Sequence, residues 1–559
     1  MKTIRIRNFK HITCLLTITI LLVFGIALLD DSFAAEKPKY GGTLRIVGKN
    51  IKQFDPAQTA SMNTQFMISF FYDALITGDL EKMQKEGKLP GAVSTYTPNK
   101  YLKGALAERW EWLDSTTFVF YLRKGVKFQN KPPVNGREFV ADDVVYSFKR
   151  YFSSKKVDHY IHDHIESVVA KDKYTVVFKL KEPYSQALLH IGMDNSWIFP
   201  HEVVEKYEDL SNWENAVGTG PFLLKNFSSG NSLTFQRNPD YRDKEKIYVD
   251  KIKASIIRDR ETRLAAFRTG KVDILYGVKS SKMAGLKKSN PELKYRKLLF
   301  FPVVIYMRTD KKPFSDIRVR KAIAMAIDRK AIVKRYWGGD AEIYAHPYPP
   351  TWGKELFTPL DDLGEAAENF SYNPEKAKQL LKAAGYPNGL KTKLTYTMAY
   401  GRAYAEQMEL VKAYLSQIGV DLELNLKEYM AYYTTAHKGK YEGMGAGLLD
   451  AQPLASTRYY VPGSTWNKSH VNDPKMIEMA MQLKAATGDR SKFNAIAKKT
   501  MKYAIGQTWD IPMPSPYVYM IWQPWVKNFA GLETATGLDQ GHTFEGVWID
   551  QALKKKMLK

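Results

Sequence analysis

Apolar positions along this chain follow two rhythms. Thr116-Thr-Phe-Val-Phe-Tyr-Leu-Arg123 alternates with β-branched and aromatic residues, which predicts a half-buried strand. Tyr174 to Leu180 repeats that alternation, and residues 301–308 form an apolar strand-like run. Elsewhere the spacing is helical. Val319, Ala322, Ile323, Ala326 and Ile327 fall on one face of a helix, and Phe66, Phe70 and Leu75 predict another from Met62 to Leu75. Leu394 to Met398 reads as strand, Ala403 to Ile418 as helix and Val420 to Leu426 as strand. A strand, a helix and a strand in that order make a βαβ unit and place the chain in the α/β class.

Turn residues divide these elements. Gly218-Thr-Gly-Pro-Phe222 predicts a turn before an extended segment, with Gly218 and Gly220 relieving backbone strain. Ser229-Gly-Asn231 predicts a hairpin turn and Asn238-Pro-Asp240 a second turn. Asp316 and Asp328 each open a helix, and the second stops at Gly338-Gly339. Asn373-Pro-Glu375 supplies an N-cap, a first-turn proline and an acid for a helix that Gly385 ends. Asp142 and Asp143 suit a helix N-terminus, where the dipole favours negative charge.

The start of the chain has a different character. Lys2, Arg5, Arg7 and Lys10 precede an apolar run from Ile12 to Leu29, followed by Ser32-Phe-Ala34. This is the order of a secretory signal peptide, residues 1–34, with cleavage after Ala34. The run is about as long as the shortest membrane span; the Ser-x-Ala site and basic start favour cleavage over an uncleaved anchor. Cys14, the only cysteine, opens the run, whereas a lipoprotein cysteine would follow it. The expected location is therefore periplasmic, without a lipid anchor and without disulfides.

The net charge of +24 first suggests a nucleic-acid partner. No basic arm or stripe exists, and the 83 Lys and Arg are scattered, so no nucleic acid is expected. His201-Glu-Val-Val-Glu205 lacks the second histidine of a zinc-protease helix. Ser153-Ser-Lys-Lys156 stands without the companion motifs of a serine acyl-transfer site. Gly443-Met-Gly-Ala-Gly447 predicts backbone in close approach to a ligand. His159, His162 and His164, beside Asp158 and Asp163, form the only histidine cluster, with a spacing that fits no defined metal-ligand set. No catalytic constellation, metal or cofactor is expected.

Gly218-Thr-Gly-Pro-Phe222, Asn238-Pro-Asp-Tyr241 and the helix ending Gly270-Lys-Val-Asp-Ile274 occur in this order. So do Leu122-Arg-Lys-Gly-Val-Lys-Phe128 with Asp142-Asp-Val144, and Val319-Arg-Lys-Ala-Ile323 with Ala326-Ile-Asp-Arg329. Together they resemble the bacterial extracellular solute-binding proteins of family 5, from about Tyr40 to the C-terminus. The resemblance implies a two-lobed periplasmic-binding-protein fold, type II, in its large three-domain variant, with the ligand cleft between lobes. Domain I would comprise 35–75, 216–300 and 520–559, domain II 76–215, and domain III, the second lobe, 301–519. It also implies no enzyme, but a monomer that captures a peptide or other small solute and passes it to ABC transporter permease subunits in the inner membrane.

Carried over by motif, Asp450 in Gly447-Leu-Leu-Asp-Ala-Gln-Pro453 would anchor a peptide amine, and Arg402 in Tyr400-Gly-Arg-Ala-Tyr404 its carboxylate. Gln452 stands where relatives often have a second acid, and both loops are shorter than in dipeptide binders. Tyr404, Tyr432 and Trp466 complete the expected substrate site, with Tyr400 and Tyr433 nearby. Two other functions remain open at this stage: a nickel- or metal-chelate-binding member of the family, and an exported hydrolase.

Overall fold

The computed structural model describes residues 36–559, except 60, 94–96, 158–163, 185–186, 193–195, 209, 450–453, 465, 487–489 and 533–539. The expected signal peptide and cleavage site lie outside the described residues. Among those residues, no helix is long and apolar enough to cross a membrane.

The core of the larger sheet is Thr43–Val47, which enters after Gly41 and Gly42, both at positive φ. Its Leu44 and Ile46 are buried while alternate residues are half-buried, as a period of two dictates. It pairs in parallel with Lys251–Ser255 on one side and Ile274–Lys279 on the other. Ser232–Arg237 and Phe222–Ser228 extend the first side as a hairpin closed at Gly230, φ +69°. Ser515–Trp522 and then Lys294–Leu299 extend the second, both in antiparallel pairings. The smaller sheet runs Val420–Lys427, Leu390–Thr397, Met444–Leu448, Val303–Met307, Asp510–Pro512. Its first two strands are parallel, joined by the helix Arg402–Ser416, which is the predicted βαβ unit. A four-stranded antiparallel sheet, Ala107–Trp112, Thr117–Leu122, Thr175–Leu180 and Ile165–Asp172, carries the helix Ala141–Ser153.

Two short segments lead directly from one main sheet to the other, and between them Ala341–Glu342 also returns to the larger sheet, pairing with Ser515–Trp522. Phe300 to Pro302 joins Lys294–Leu299 to Val303–Met307, and Met513-Pro514 joins Asp510–Pro512 to Ser515–Trp522. The crossings are bonded across their flanks. The Phe300 amide donates to the Pro516 carbonyl (2.8 Å), and the Met513 amide to the Val303 carbonyl (2.8 Å). The chain rejoins the larger sheet at Ser515, slightly before the expected boundary at 520.

Local signals account for most helix ends. Asp316 accepts from the Arg318 amide and Asn373 from the Lys376 amide (3.0 Å), while Gly338 and Gly385 take positive φ just past helix ends. Two expectations change. The helix predicted from Met62 to Leu75 ends at Ile68, because Phe70, Phe71 and Tyr72 all turn into core and are fully buried. Gly218 and Gly220 have ordinary φ. A Cβ on Gly218 would meet the Phe71 carbonyl oxygen at 2.0 Å, and one on Gly220 the Phe71 carbonyl carbon at 2.7 Å. Close packing on the Phe71 backbone, not strain relief, requires glycine there.

Ion pairs fasten the pieces. Asp55 is fully buried and accepts both guanidinium nitrogens of Arg150 (2.5 Å each) while capping the Ala57 amide. Arg137 forks onto buried Asp143 (2.6 and 2.9 Å) and reaches Glu202. Asp143 therefore does more than meet a helix dipole.

Candidate functional site

A cleft of about 390 Å³ lies beside the two crossings, within the range of small-molecule sites. Both sheets line it. The larger contributes Leu275 to Lys279, Tyr517 and Val518, and the smaller contributes Val303 and Leu448. Phe300, Pro514 and Pro516 form its edge at the crossings. Three helices present their first turns: Arg260–Arg268 through Arg260, Glu261 and Arg263; Ser280–Ser289 through Lys282; and Arg402–Ser416 through Arg402, Ala403 and Tyr404.

Arg402 is at the cleft because Gly401, at φ +111°, turns the chain from the strand Leu390–Thr397 into the helix. Its side chain is 86% exposed, and its Nε donates to Glu406 one helical turn on (2.7 Å). Tyr404 also lines the cleft, with its ring in the core of the second sheet and its hydroxyl buried without a partner. Burial, and next Tyr432, raises its pKa well above the ordinary phenol value. Burial, and next Tyr429, pushes Tyr400 up to about 12, so both phenols are neutral donors at neutral pH.

Tyr432 and Trp466 are not among the lining residues. Tyr432 is fully buried, with its hydroxyl 3.0 Å from that of Tyr306. Trp466 is covered by the Arg458 guanidinium, 3.9 Å from its ring centre. Ring contacts still run from the cleft to both: Tyr404 to Tyr400 (5.6 Å) and Tyr400 to Tyr432 (5.9 Å) edge-to-face, Tyr432 to His437 (6.3 Å) tilted, and His437 to Trp466 (5.2 Å) edge-to-face. Asp450 lies outside the described residues, just beyond the strand Met444–Leu448. Two glycines of that strand, Gly445 and Gly447, lie close against tyrosines. A Cβ on Gly445 would meet the Tyr306 ring at 2.2 Å, and one on Gly447 the Tyr432 hydroxyl at 2.1 Å.

The wall from the larger sheet escaped the sequence reading. Lys49, Arg260, Arg263, Lys279 and Lys282 all line it. Burial, followed by the charge of Arg260, lowers the Lys279 ammonium below the usual lysine value. Lys282 bonds Glu261 (2.9 Å), the only acid of the lining among the described residues. Gln407 adds a carboxamide whose nitrogen donates to the Ala403 carbonyl (3.2 Å) and whose oxygen is unpaired. Of the histidine cluster, His159 and His162 lie outside the described residues. His164 stacks on Tyr184, ring centres 4.0 Å apart, and places Nδ1 3.5 Å from Glu182.

A sequence profile described as bacterial extracellular solute-binding proteins, family 5 Middle, matches residues 102–469. The chain belongs to that family. Family 5 relatives include heme-binding protein A of Haemophilus influenzae, 30% identical over 364 residues, 61% of this chain and 64% of that protein. A dipeptide-binding protein of Pseudomonas aeruginosa is 28% identical over 372 residues, 61% of this chain and 66% of its own. These alignments span less than two thirds of the relatives' lengths. The solved DppA of Helicobacter pylori, an ABC transporter-associated periplasmic binding protein in complex with the peptide STSA, superposes with a TM-score of 0.73. That alignment is 25% identical and covers 92% of this chain and 99% of the other. The fold is the type II periplasmic binding fold with mixed α/β sheets, as the motifs implied.

Proposed function

We propose that this protein is the capture component of an ABC importer: it encloses a peptide-like solute between its two lobes and delivers it to permease subunits in the inner membrane. The carrying observation is the cleft, lined from both sheets, with both chain crossings at its edge. Two short segments lead directly from one sheet to the other, and rotation about Phe300 to Pro302 and Met513-Pro514 opens or closes the cleft as a hinge. A ligand touching both walls has more contacts in the closed state and biases the equilibrium toward it. The relatives named for peptide binding support the substrate class.

In this reading Arg402 takes the peptide carboxylate through a charge-assisted hydrogen bond. Asp450 takes the amine, Tyr404 lines the floor, and Tyr432 and Trp466 back the aromatic wall. The signal peptide directs the chain to the periplasm, where it works as a monomer with no catalytic step. The lobes divide as domain I, the inserted domain II around the four-stranded sheet, and domain III around the smaller sheet.

Native mass spectrometry of freshly purified protein, followed by calorimetric titration with the copurified solute, tests the reading. A bound small peptide that raises the melting temperature supports it, since a ligand of the native state alone stabilises by mass action. Steady release of altered product from a peptide panel would sink it. N-terminal sequencing of the exported protein should begin at Ala35.

A further inference from the structure

The segment that returns to the larger sheet between the two crossings changes partners within a few residues. The helix Arg329–Trp337 belongs to the smaller sheet: Ile332 is in that sheet's core, and the Arg329 guanidinium donates to the Pro512 carbonyl (3.0 Å). Past Gly338-Gly339 the bonds go to the larger sheet instead. Ala341 and Glu342 pair with Pro516 and Ser515. The Tyr517 amide donates to the Asp340 carbonyl (3.1 Å), and the Tyr519 hydroxyl to the Asp340 carboxylate (3.0 Å), which also pairs with the Lys297 ammonium. The Tyr517 hydroxyl donates to Glu342 (2.5 Å), and Ala345 packs with Ala92 and Leu299. We propose that Asp340-Ala-Glu342 is a third hinge strand, which stays with the larger sheet and bends at Gly338-Gly339 as the cleft closes; this rests on the capture reading above.

Hinges are a few positions at element ends that absorb a large change of φ and ψ. Gly338 and Gly339 sit at such an end, at φ +60° and +90°. A Cβ on either would meet nothing within 4 Å, so packing does not demand glycine there and the pair has room to turn. Both flanks are fastened, the helix on one side to the smaller sheet and Asp340 on the other to the larger. The position fits a shared axis. Pro516 follows the second crossing, its carbonyl accepts from the Phe300 amide of the first (2.8 Å), and it pairs with Ala341 of the returning segment. The three segments thus lie side by side, and bends at Phe300 to Pro302, Gly338-Gly339 and Met513-Pro514 can act as one hinge. The pivot also stands between two residues of the cleft. Trp337 before it and Tyr517 beyond it both line the wall. Glu342, on the Tyr517 hydroxyl, and Lys297, 3.9 Å from its ring centre, are positioning residues for that tyrosine.

Distances between spin labels decide the matter. Cys14 is the only cysteine and lies in the expected signal peptide, so introduced cysteines are labelled uniquely in the exported protein. Pairs are drawn from Ala341→Cys on the returning segment, Lys294→Cys on the larger sheet and Lys391→Cys on the smaller; Ile343→Cys replaces the first if that variant does not fold. Each pair is measured by pulsed electron resonance with and without a saturating tryptic hydrolysate of casein, a broad mixture of short peptides. The 294–391 and 341–391 distances should both shift on adding the hydrolysate, while the 294–341 distance stays constant. If 294–341 shifts with 294–391 and 341–391 stays constant, the segment moves with the smaller sheet: the third hinge strand is overturned and the capture reading stands. If no distance shifts, capture of peptides by closure is overturned, and the hinge strand with it.

Discussion

Arg402 and Glu406 are bonded one helical turn apart, Nε to Oε1 at 2.7 Å, at the mouth of the cleft. The cation proposed to receive the ligand carboxylate therefore already has an anion beside it. The pair is exposed, so its own strength is about 0.3–0.5 kcal/mol. Arg402→Ala should leave the unfolding midpoint nearly unchanged while weakening a peptide with a free carboxylate. Glu406→Gln should do the reverse, tightening peptides with a free carboxylate by about twofold, because the guanidinium no longer has a competing partner. Parallel titrations of both variants check this. Equal affinities in wild type and Arg402→Ala would remove Arg402 from the site.

Stability should depend instead on Asp55 and Arg150. Asp55 has no exposed surface, and both of its oxygens are held by one guanidinium. Removing the base leaves a buried carboxylate uncompensated, at a cost of about 3–5 kcal/mol. Arg150→Met should lower the denaturant midpoint sharply, and Asp55→Asn added to it should restore part of the loss. A double variant no more stable than Arg150→Met would show that the stranded charge is not the cause.

Glu138 gives a pH signature. A hydrogen bond from Lys173 (2.9 Å), then one from the Gly125 amide (2.7 Å), depresses its pKa to about 2. An unfolded glutamate titrates near ~4.3. A depressed folded pKa means that the stabilisation is complete above the unfolded value and fades as pH falls toward about 2. Glu138→Gln should therefore flatten the melting temperature against pH across that acid window. An unaltered slope there would assign acid sensitivity to other carboxylates.

The sequence was most readable where structure is local. Asp316, Asn373, Gly338 and Gly385 act within one turn of themselves, so residue type and position sufficed. The parallel pair Leu390–Thr397 and Val420–Lys427 was legible because its crossover helix is contiguous with both strands. Met62 to Leu75 misled because Phe70, Phe71 and Tyr72 are apolar for a core that surrounds them, not for one helix face. Arg402, which lines the cleft, was singled out by its motif. Lys49, Arg260, Arg263, Lys279 and Lys282 were not, since they are dispersed among many other bases. The pairing of Thr43–Val47 with Ile274–Lys279 draws their segments together.

The strand Met444–Leu448 offers a sharper test of packing near the cleft. Gly447 pairs with Val304 in the sheet and sits beneath the Tyr432 hydroxyl, which would lie 2.1 Å from an added Cβ. Tyr432 is fully buried and bonded to Tyr306, so it has nowhere to retreat. Gly447→Ala should then cost about 1–3 kcal/mol as an overpacked site. It should also weaken solute binding, because Leu448 lines the cleft and Asp450 follows two residues later. Tyr432→Phe removes the atom that clashes while keeping the ring. Alone it should be mildly destabilising, since Tyr306 loses its hydroxyl partner. Combined with Gly447→Ala it should recover most of the lost stability, a non-additivity expected only of groups in direct contact. Denaturant midpoints of the two single variants and the double variant measure this. If the double variant is less stable than Gly447→Ala alone, the hydroxyl is not what excludes a side chain at position 447.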